Sequence, residues 1–292
     1  MRARELLGVA ALVGAPVAAL GYAVTRAMKA PDNTPETFEH VESSTVVACL
    51  GASMLQGRMS FDVVGTLQAR LGASYQLVNA GVNGDHAWNA WTRIESVIDC
   101  NPDYVIILIG SNDVMASANT TFEQRARRWK QLPVRPSLDG YRESLRAIVA
   151  ELRQRTRAQI ALSSLPPIGE RLDSPMNRRL EGYNAVIREV AHDAGVEYLP
   201  INETLVAAIS DEQRAPSEAG KSYDGAAWPM FVAVVEHYVL GRSLEVISRA
   251  HGYRLFTDGV HLNSRAGQLL VERFEAFVRA RAVSEDTRAE LL

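Results

Sequence analysis

Residues 103–113 read DYVIILIGSND, and they are the most informative stretch of the chain for its fold. The run VIILI is apolar without alternation, which is typical of a strand buried on both faces of a parallel sheet. The run ends at Gly110, and Ser111, Asn112 and Asp113 follow directly. Ligands of open α/β sheets bind beyond the carboxyl ends of the strands. This segment therefore predicts a central strand and one edge of a functional site.

Shorter segments of the same kind lie on both sides of this strand. The other predicted strands are 46–50, 75–80, 159–165 and 196–200. The predicted helices cover residues 60–71, 87–98, 137–155, 174–193 and 263–281. Ser137 and Ser174 are suited to cap two of these helices, and Pro175 suits a first helical turn. The alternation of strands and helices predicts an α/β fold, a three-layer α/β/α sandwich with a parallel, doubly wound sheet.

The composition is that of an ordinary globular protein and excludes several classes. The 292 residues are 47% apolar and 22% charged, which excludes a disordered or fibrous chain. A net charge of −3 argues against a nucleic-acid partner. Two cysteines are too few for a disulfide scaffold or a cysteine-rich zinc site. The histidines have no metal-ligand spacing, so no metal site is predicted.

The N-terminal segment predicts export. Residues 6–24 carry no charge, and as a helix they would span about 28 Å, close to the hydrocarbon thickness of a bilayer. The length favours a retained membrane anchor within 1–30, facing outward; a signal cleaved near 21–23 and a buried helix are the alternatives. Residues 31–44 are polar with two prolines and predict a tether. Residues 45–292 are then predicted to form one folded domain.

Two segments of that domain exceed ordinary loop length. They are residues 114–136 and 205–256, and the second contains the apolar stretch WPMFVAVVEHYVL at 228–240. Both are interpreted as insertions of helices. One interpretation places these helices at the periphery of the sandwich, and the other makes one of them a wall or lid of the site.

Chemically useful residues recur where the strands end. The first strand is followed by Ser53 within the sequence GAS, the second by Gly81 within NAGVNG, and the third by Asn112 within GSND. Asp258 and His261 lie in DGVH, just before the last helix. A hydroxyl, an Asp/His pair and hydrogen-bond donors for an oxyanion are the groups that acyl transfer on serine needs.

In these four blocks the chain resembles the SGNH hydrolases, the GDSL-type esterases and lipases, from about residue 45 to residue 281. The resemblance implies a flavodoxin-like sandwich and a serine hydrolase that needs no metal or organic cofactor. It implies that Ser53 is the nucleophile, that His261 is the general base and then acid, and that Asp258 orients His261. The implied oxyanion hole consists of the Ser53 and Gly81 N–H groups and the Asn112 side chain.

One residue departs from the family signature, which has aspartate directly before the serine. Here Ala52 stands at that position, which removes a carboxylate from the nucleophile turn but none of the reacting groups. The departure puts the usual hydrogen bonding of this turn, and the substrate preference, in question.

Several other residues have two interpretations each. Asp85 and His86 either cap the next helix, which is favoured, or line the cleft. Trp88 and Trp91 share a helix face and either pack in the core, which is favoured, or wall the site. No disulfide is predicted between the two cysteines, because their positions along the predicted strands lie several residues apart.

The sequence predicts a serine esterase acting on an ester of an envelope glycan, a glycolipid or a lipid. An acyltransferase with the same triad is the alternative that keeps the nucleophile. A glycan- or lipid-binding module with a decayed site is a third possibility, supported by Ala52 alone. The membrane is an expected partner through residues 6–24.

Overall fold

The computed structural model describes residues 17–212, 220–223 and 225–289. Most of the predicted anchor, residues 6–16, therefore lies outside the described residues. Five parallel strands form one sheet in the order β2-β1-β3-β4-β5. The strands are β1 (Thr45–Gly51), β2 (Tyr75–Gly81), β3 (Tyr104–Leu108), β4 (Gln159–Ser163) and β5 (Glu197–Leu199). This order is the flavodoxin-like doubly wound one, and it confirms the predicted fold class.

Helices cover both faces of the sheet. In chain order they are α1 (17–28), α2 (Ser53–Gln56), α3 (Val63–Leu71), α4 (Ala87–Thr92), α5 (Ile94–Ile98), α6 (Ser111–Ala118), α7 (Thr120–Lys130), α8 (Leu138–Arg155), α9 (Pro175–Ala194), α10 (Ile201–Glu212), α11 (Trp228–Tyr238), α12 (Leu244–Ala250) and α13 (Ser264–Ala289). Helices α3, α10 and α13 pack together in one layer, and α5, α8 and α9 form the other. The predicted serine caps are confirmed, because Ser137 and Ser174 accept backbone N–H groups at the starts of α8 and α9.

The register of the sheet fixes where the site lies. Gly51 at the end of β1 pairs with Gly81 on one side and Leu108 on the other. Three strands therefore stop at the same level. The chain winds from β1 to one side of the sheet for β2 and to the opposite side for β3, so a crevice opens between these strand ends. The middle strand of the three, β1, is fully buried from Val46 to Leu50 and anchors this edge in the core.

The predicted helix 87–98 is wrong in one respect, because it is two helices that meet at Arg93. The backbone of Arg93 leaves the helical region, with φ −115° and ψ 17°. Its guanidinium donates to the carbonyl oxygens of Gly51 at 3.0 Å and Ala80 at 2.8 Å. These contacts draw Arg93 toward the ends of β1 and β2, and the helix breaks where its side chain is held.

The region predicted to be a tether, residues 31–44, lies against the sheet. The Asn33 carbonyl accepts the Asn79 N–H at 2.8 Å, and the Asn33 amide donates to the Leu77 carbonyl at 2.8 Å. Further along, Val41 N–H and Ser44 Oγ both donate to the side chain of Gln76. The stretch therefore covers the outer edge of β2 instead of hanging free. Within the ranges that the structure describes, no helix combines the length and the hydropathy needed to cross a bilayer.

Candidate active site

Ser53, His261 and Asp258 form a continuous chain of hydrogen bonds beyond the ends of β1 and β3. The Ser53 hydroxyl lies 2.9 Å from His261 Nε2, and His261 Nδ1 lies 2.6 Å from Asp258 Oδ2. A carboxylate can only accept, so Nδ1 carries the hydrogen and Nε2 is left to accept from the serine. All three residues are at most 7% exposed. The imidazole is thus oriented as a base toward one hydroxyl.

A tight hairpin positions the histidine and the aspartate. The Thr257 N–H donates to the His261 carbonyl at 2.8 Å, and Phe256 bridges Leu262 across the turn. Inside the turn, Asp258 Oδ1 accepts the His261 N–H at 2.9 Å. The spacing of three residues therefore lets one carboxylate bind both the backbone and the ring of the same histidine.

Asp258 is ionised in this environment. Burial alone would raise the pKa of its carboxyl, but the positive charge that His261 can carry and the hydrogen bonds from His261 and Val260 hold the pKa below its ordinary value. A permanent carboxylate beside the ring stabilises an imidazolium when one forms.

Ser53 is the first residue of the short helix α2, and the substitution of alanine at position 52 does not open this turn. The Ala52 carbonyl accepts the N–H groups of Leu55 at 3.1 Å and Gln56 at 3.0 Å. The turn is closed by the backbone without a carboxylate at position 52. The Ser53 N–H donates to none of the described residues and lies at a helix N-terminus, where partial positive charge accumulates.

The expectation that Gly81 contributes an oxyanion donor is wrong for this structure. Its N–H donates to Asn79 Oδ1 at 3.0 Å, and Gly81 does not line the cleft beside Ser53. Glycine is needed here for another reason, because a Cβ would collide with the backbone nitrogen of Gln56 in α2. Gly81 lets the nucleophile helix lie directly on the end of β2.

Gly84, three residues further on, occupies the position that Gly81 was expected to fill. It lines the cleft with Ser53 and Asn112, and its N–H donates to none of the described residues. Its φ of +75° is left-handed, and the Trp129 ring lies where a Cβ would point. Both features require glycine.

Asp85 holds this corner of the site together. It is 3% exposed, and its carboxylate accepts from Arg93 Nε at 2.8 Å and from Lys130 Nζ at 2.7 Å. Its carbonyl accepts one hydrogen of the Asn112 amide at 2.9 Å, which leaves the other N–H of that amide for the cleft. The favoured prediction that Asp85 caps a helix missed this role, because Arg93 and Lys130 show no spacing that reveals it.

His86 matches both of its interpretations. It stands at the start of α4, where its N–H donates to the Asn89 side chain at 3.1 Å. It also lines the cleft, and its Nδ1 lies 3.5 Å from Asp113 Oδ1. The neighbouring Trp88 and Trp91 line a separate, smaller cavity of about 300 Å³, so neither lies in the wall beside Ser53.

A cavity of about 590 Å³ opens beside Ser53. Three helices supply its apolar walls: Val24, Ala27 and Met28 of α1, Phe122, Ala126 and Trp129 of α7, and Met230, Phe231 and Val234 of α11. Arg125 is the only lysine or arginine among the described lining residues. The two long segments 114–136 and 205–256 thus each place a helix in the wall, whereas α12 lies against α13.

Two further predictions from the sequence concern metal sites and the two cysteines. In the described ranges, no three histidine, cysteine or acidic side chains cluster as a metal site would require. Cys49 and Cys100 are both free and buried. Burial raises the pKa of Cys49 to about 12, so this thiol is inert.

The chain is similar to known proteins in sequence and in fold. Residues 49–269 match the GDSL-like Lipase/Acylhydrolase family. An acetylxylan esterase of Geobacillus stearothermophilus is 30% identical over 170 residues, 54% of this chain and 73% of that protein. Two solved structures share the fold. The acetyl xylan esterase AlAXEase is 19% identical, with a TM-score of 0.55, and the match covers 80% of this chain and 99% of that one. Axe2, an acetylxylan esterase from G. stearothermophilus, is 20% identical, with a TM-score of 0.54, and the match covers 80% of this chain and 94% of that one.

The sheet order is that of an α/β sandwich, the fold that the two solved structures share. The family match and the acetylxylan esterase relative place the chain among the ester hydrolases. Within that class, the chain belongs to the GDSL-like lipase/acylhydrolase family, the SGNH hydrolases. It is a carboxylic ester hydrolase.

Proposed function

We propose that this enzyme is a serine esterase that cleaves the ester of an acylated glycan, glycolipid or lipid through an acyl-enzyme on Ser53. The observation that carries the proposal is the unbroken hydrogen-bond chain from Ser53 through His261 to Asp258, with distances of 2.9 and 2.6 Å. Serine is a weak nucleophile unless a neighbouring base removes its proton, and this chain supplies that base.

In the first half of the reaction, Ser53 Oγ attacks the ester carbonyl carbon while its proton passes to His261 Nε2. The carbonyl π electrons move to oxygen and give a tetrahedral oxyanion. When this collapses, the bond to the alcohol oxygen breaks and the imidazolium returns the proton to the leaving alcohol. Water repeats the sequence on the acyl-enzyme, which releases the acid and restores Ser53. Asp258 stays ionised throughout and stabilises the imidazolium.

The oxyanion would be held by the N–H groups of Ser53 and Gly84 and by the Asn112 side chain. The support is that both N–H groups lack acceptors among the described residues and that all three residues line one cleft. Donors fixed before the reaction stabilise developing charge without reorganisation. Asp85 fixes Asn112 through its carbonyl, so this donor is preorganised.

The test is labelling of the purified full-length protein with a fluorophosphonate probe, beside Ser53→Ala, His261→Ala and Asn112→Ala. We expect labelling of the wild type and none of Ser53→Ala. For Asn112→Ala, kcat on p-nitrophenyl esters should fall about 10²–10³-fold with little change in KM. Ser74→Ala, at an exposed position just before β2, is the matched control and should retain wild-type kinetics. A folded wild type that neither labels nor turns over esters would refute the proposal.

We further propose that the enzyme is exported and held at the membrane by residues 6–24, facing outward. The support is the uncharged sequence, together with exposed apolar side chains at Leu20 and Tyr22 of α1 and at Trp228 and Leu240 in and beside α11. After cell fractionation, the full-length chain should sediment with membranes and be digested by protease added to cells with a permeabilised outer envelope. Recovery in the cytoplasmic supernatant would refute this placement.

A further inference from the structure

Helix α1 is part of the wall of the catalytic cavity. Three side chains of this helix line the cavity beside Ser53: Val24, Ala27 and Met28. Their spacing of i, i+3 and i+4 places them on one face of the helix. Met230 and Phe231 of α11 line the same cavity. A segment that the sequence assigns to membrane attachment thus also contacts the space where an acyl group would bind.

The position of α1 is fixed by packing against α11. Ala23 and Ala27 are at most 3% exposed and form one apolar cluster with Val234 of α11. Met59 and Tyr238 pack against the same cluster. Small alanine side chains allow the two helices to approach closely, so the wall has a defined place relative to Ser53.

Two side chains near the catalytic groups also hold the end of α1. The Asn83 amide, next to Gly84, donates to the Ala27 carbonyl at 2.9 Å. The Gln56 amide, in the same helix as Ser53, donates to the Lys29 carbonyl at 3.1 Å. Gln56 and Asn83 are joined to each other, because Gln56 Oε1 accepts the Asn83 N–H at 2.6 Å. The wall is therefore connected to both turns of the proposed oxyanion hole.

We propose that α1 and α11 form, together with α7, the apolar wall of an acyl-chain site, so that the enzyme prefers esters of alkyl-chain acids to acetate esters. The inference rests on the proposed function, since it needs the acyl carbonyl at Ser53. With the carbonyl there, an alkyl chain extends into the cavity between the helices and buries its methylenes. An acetyl group has a single methyl to bury there. The cavity of about 590 Å³ has room for such a chain.

One of these two helices lies outside the family match. Helix α1 precedes residues 49–269, the range that matches the family, whereas α11 lies within it. The contribution of Val24, Ala27 and Met28 to the cavity is therefore a feature that the family match does not cover.

The test compares p-nitrophenyl acetate, butyrate, octanoate and laurate with the full-length protein in a mild detergent, each ester below its micellar concentration. The readout is the ratio of kcat/KM for octanoate to that for acetate. We expect a ratio of at least about ten in the wild type, because each buried methylene adds to transition-state binding. Val24→Trp fills the cavity and should lower this ratio at least about tenfold. Met230→Ala enlarges it and should shift the optimum toward laurate.

Thr25→Trp is the matched control, because it places the same side chain on the exposed neighbouring position of α1. It should keep the wild-type ratio. Equal ratios in Val24→Trp and Thr25→Trp would overturn the acyl-chain site. A wild type that labels at Ser53 but prefers acetate would overturn it too, while the serine-esterase proposal stands. Absence of both labelling and turnover would instead remove the proposed function, and this inference with it.

Discussion

Asp258 divides its two oxygens between the backbone and the ring of His261. Oδ1 accepts N–H groups from Val260 and His261, and Oδ2 accepts from the ring. The residue therefore shapes the hairpin and sets the tautomer at the same time. Such a carboxylate contributes to the stability of the fold as well as to the reaction, and the two contributions can be measured apart.

The stability contribution of Asp258 has a definite pH dependence. The folded-state pKa of this carboxyl lies below its unfolded value of about 3.9. A depressed pKa stabilises the fold above the unfolded value, and the stabilisation is lost as the pH falls through the folded value. We therefore expect Asp258→Asn to be less stable than wild type at neutral pH and the difference to shrink below about pH 4. Urea unfolding of both proteins from neutral to acidic pH measures this, and a difference independent of pH would contradict it.

At the residue scale, the sequence predicts the hydrogen-bonded set of Ser53, His261 and Asp258 better than the proposed oxyanion donors. Ser53, Asn112 and His261 could be found because each stands beside the end of a predicted element. Gly81 and Gly84 both fit the same segment, NAGVNG. The choice between them depends on β2 continuing through Gly81, whose N–H is then taken by Asn79. No local sequence pattern shows at which residue the pairing of β2 with β1 ends.

At the scale of elements, the loop after β4 supports the catalytic hairpin. The Gly169 N–H donates to the Gly259 carbonyl at 2.7 Å. Glu170 Oε1 accepts the N–H groups of Arg254 and Leu255, both at 2.7 Å. Burial raises the pKa of Glu170 above its ordinary value, although these backbone donors oppose the shift. The carboxyl is therefore a buried acceptor for two backbone donors of the hairpin.

Two substitutions of Glu170 separate the contribution of its acceptor oxygen from that of its charge. Glu170→Gln keeps an acceptor oxygen of the same reach and should retain both stability and kcat. Glu170→Leu removes the acceptor of the Arg254 and Leu255 backbone N–H groups and should lower the free energy of unfolding by at least about 2 kcal/mol. Its kcat should fall as the hairpin that carries His261 loosens. Thermal unfolding and ester hydrolysis of the pair measure both effects, and a Glu170→Gln variant as damaged as Glu170→Leu would contradict this role.

The break at Arg93 shows what the pattern of an element leaves out. Residues 87–98 have one continuous helical pattern, and both halves are helical. The interruption comes from the hydrogen bonds that Arg93 donates to the carbonyl oxygens of Gly51 in β1 and Ala80 in β2. Helix propensity and periodicity describe neighbours along the chain, so they predict both halves of the segment but not the break between them.

At the scale of the whole molecule, the N-terminal region was the part least predictable from sequence. A charge-free stretch followed by polar, proline-containing residues is the pattern of an anchor and a tether. The packing of Ala27 against Val234 and of Asn33 against β2 joins residues far apart in the chain. The sandwich followed from strand and helix periodicity, whereas these contacts depend on shape complementarity between distant segments.

Truncation tests the bracing of the site by this region. A protein lacking residues 1–30 loses the carbonyl oxygens that Asn83 and Gln56 bind, so both turns around Ser53 and Gly84 are released. We expect kcat to fall about tenfold or more even for acetate esters, because small displacements of catalytic groups are costly. A protein lacking only residues 1–16 retains all these contacts and should match the full-length chain. Equal kcat values for the two truncations would contradict the bracing.

The segment over β2 has a consequence for solubility. Strand β2 is the outermost strand on its side of the sheet. Asn33 binds the backbone of Leu77 and Asn79 along its outer edge, and Gln68 of α3 binds the backbone of Tyr75 and Leu77. An uncovered edge strand is a template for pairing with another chain, and proteins commonly shield it. A form of this enzyme that begins at Thr45 would lose Asn33 and leave the Leu77 carbonyl and the Asn79 N–H without these partners. We therefore expect that form to self-associate through β2 more readily than the full-length chain.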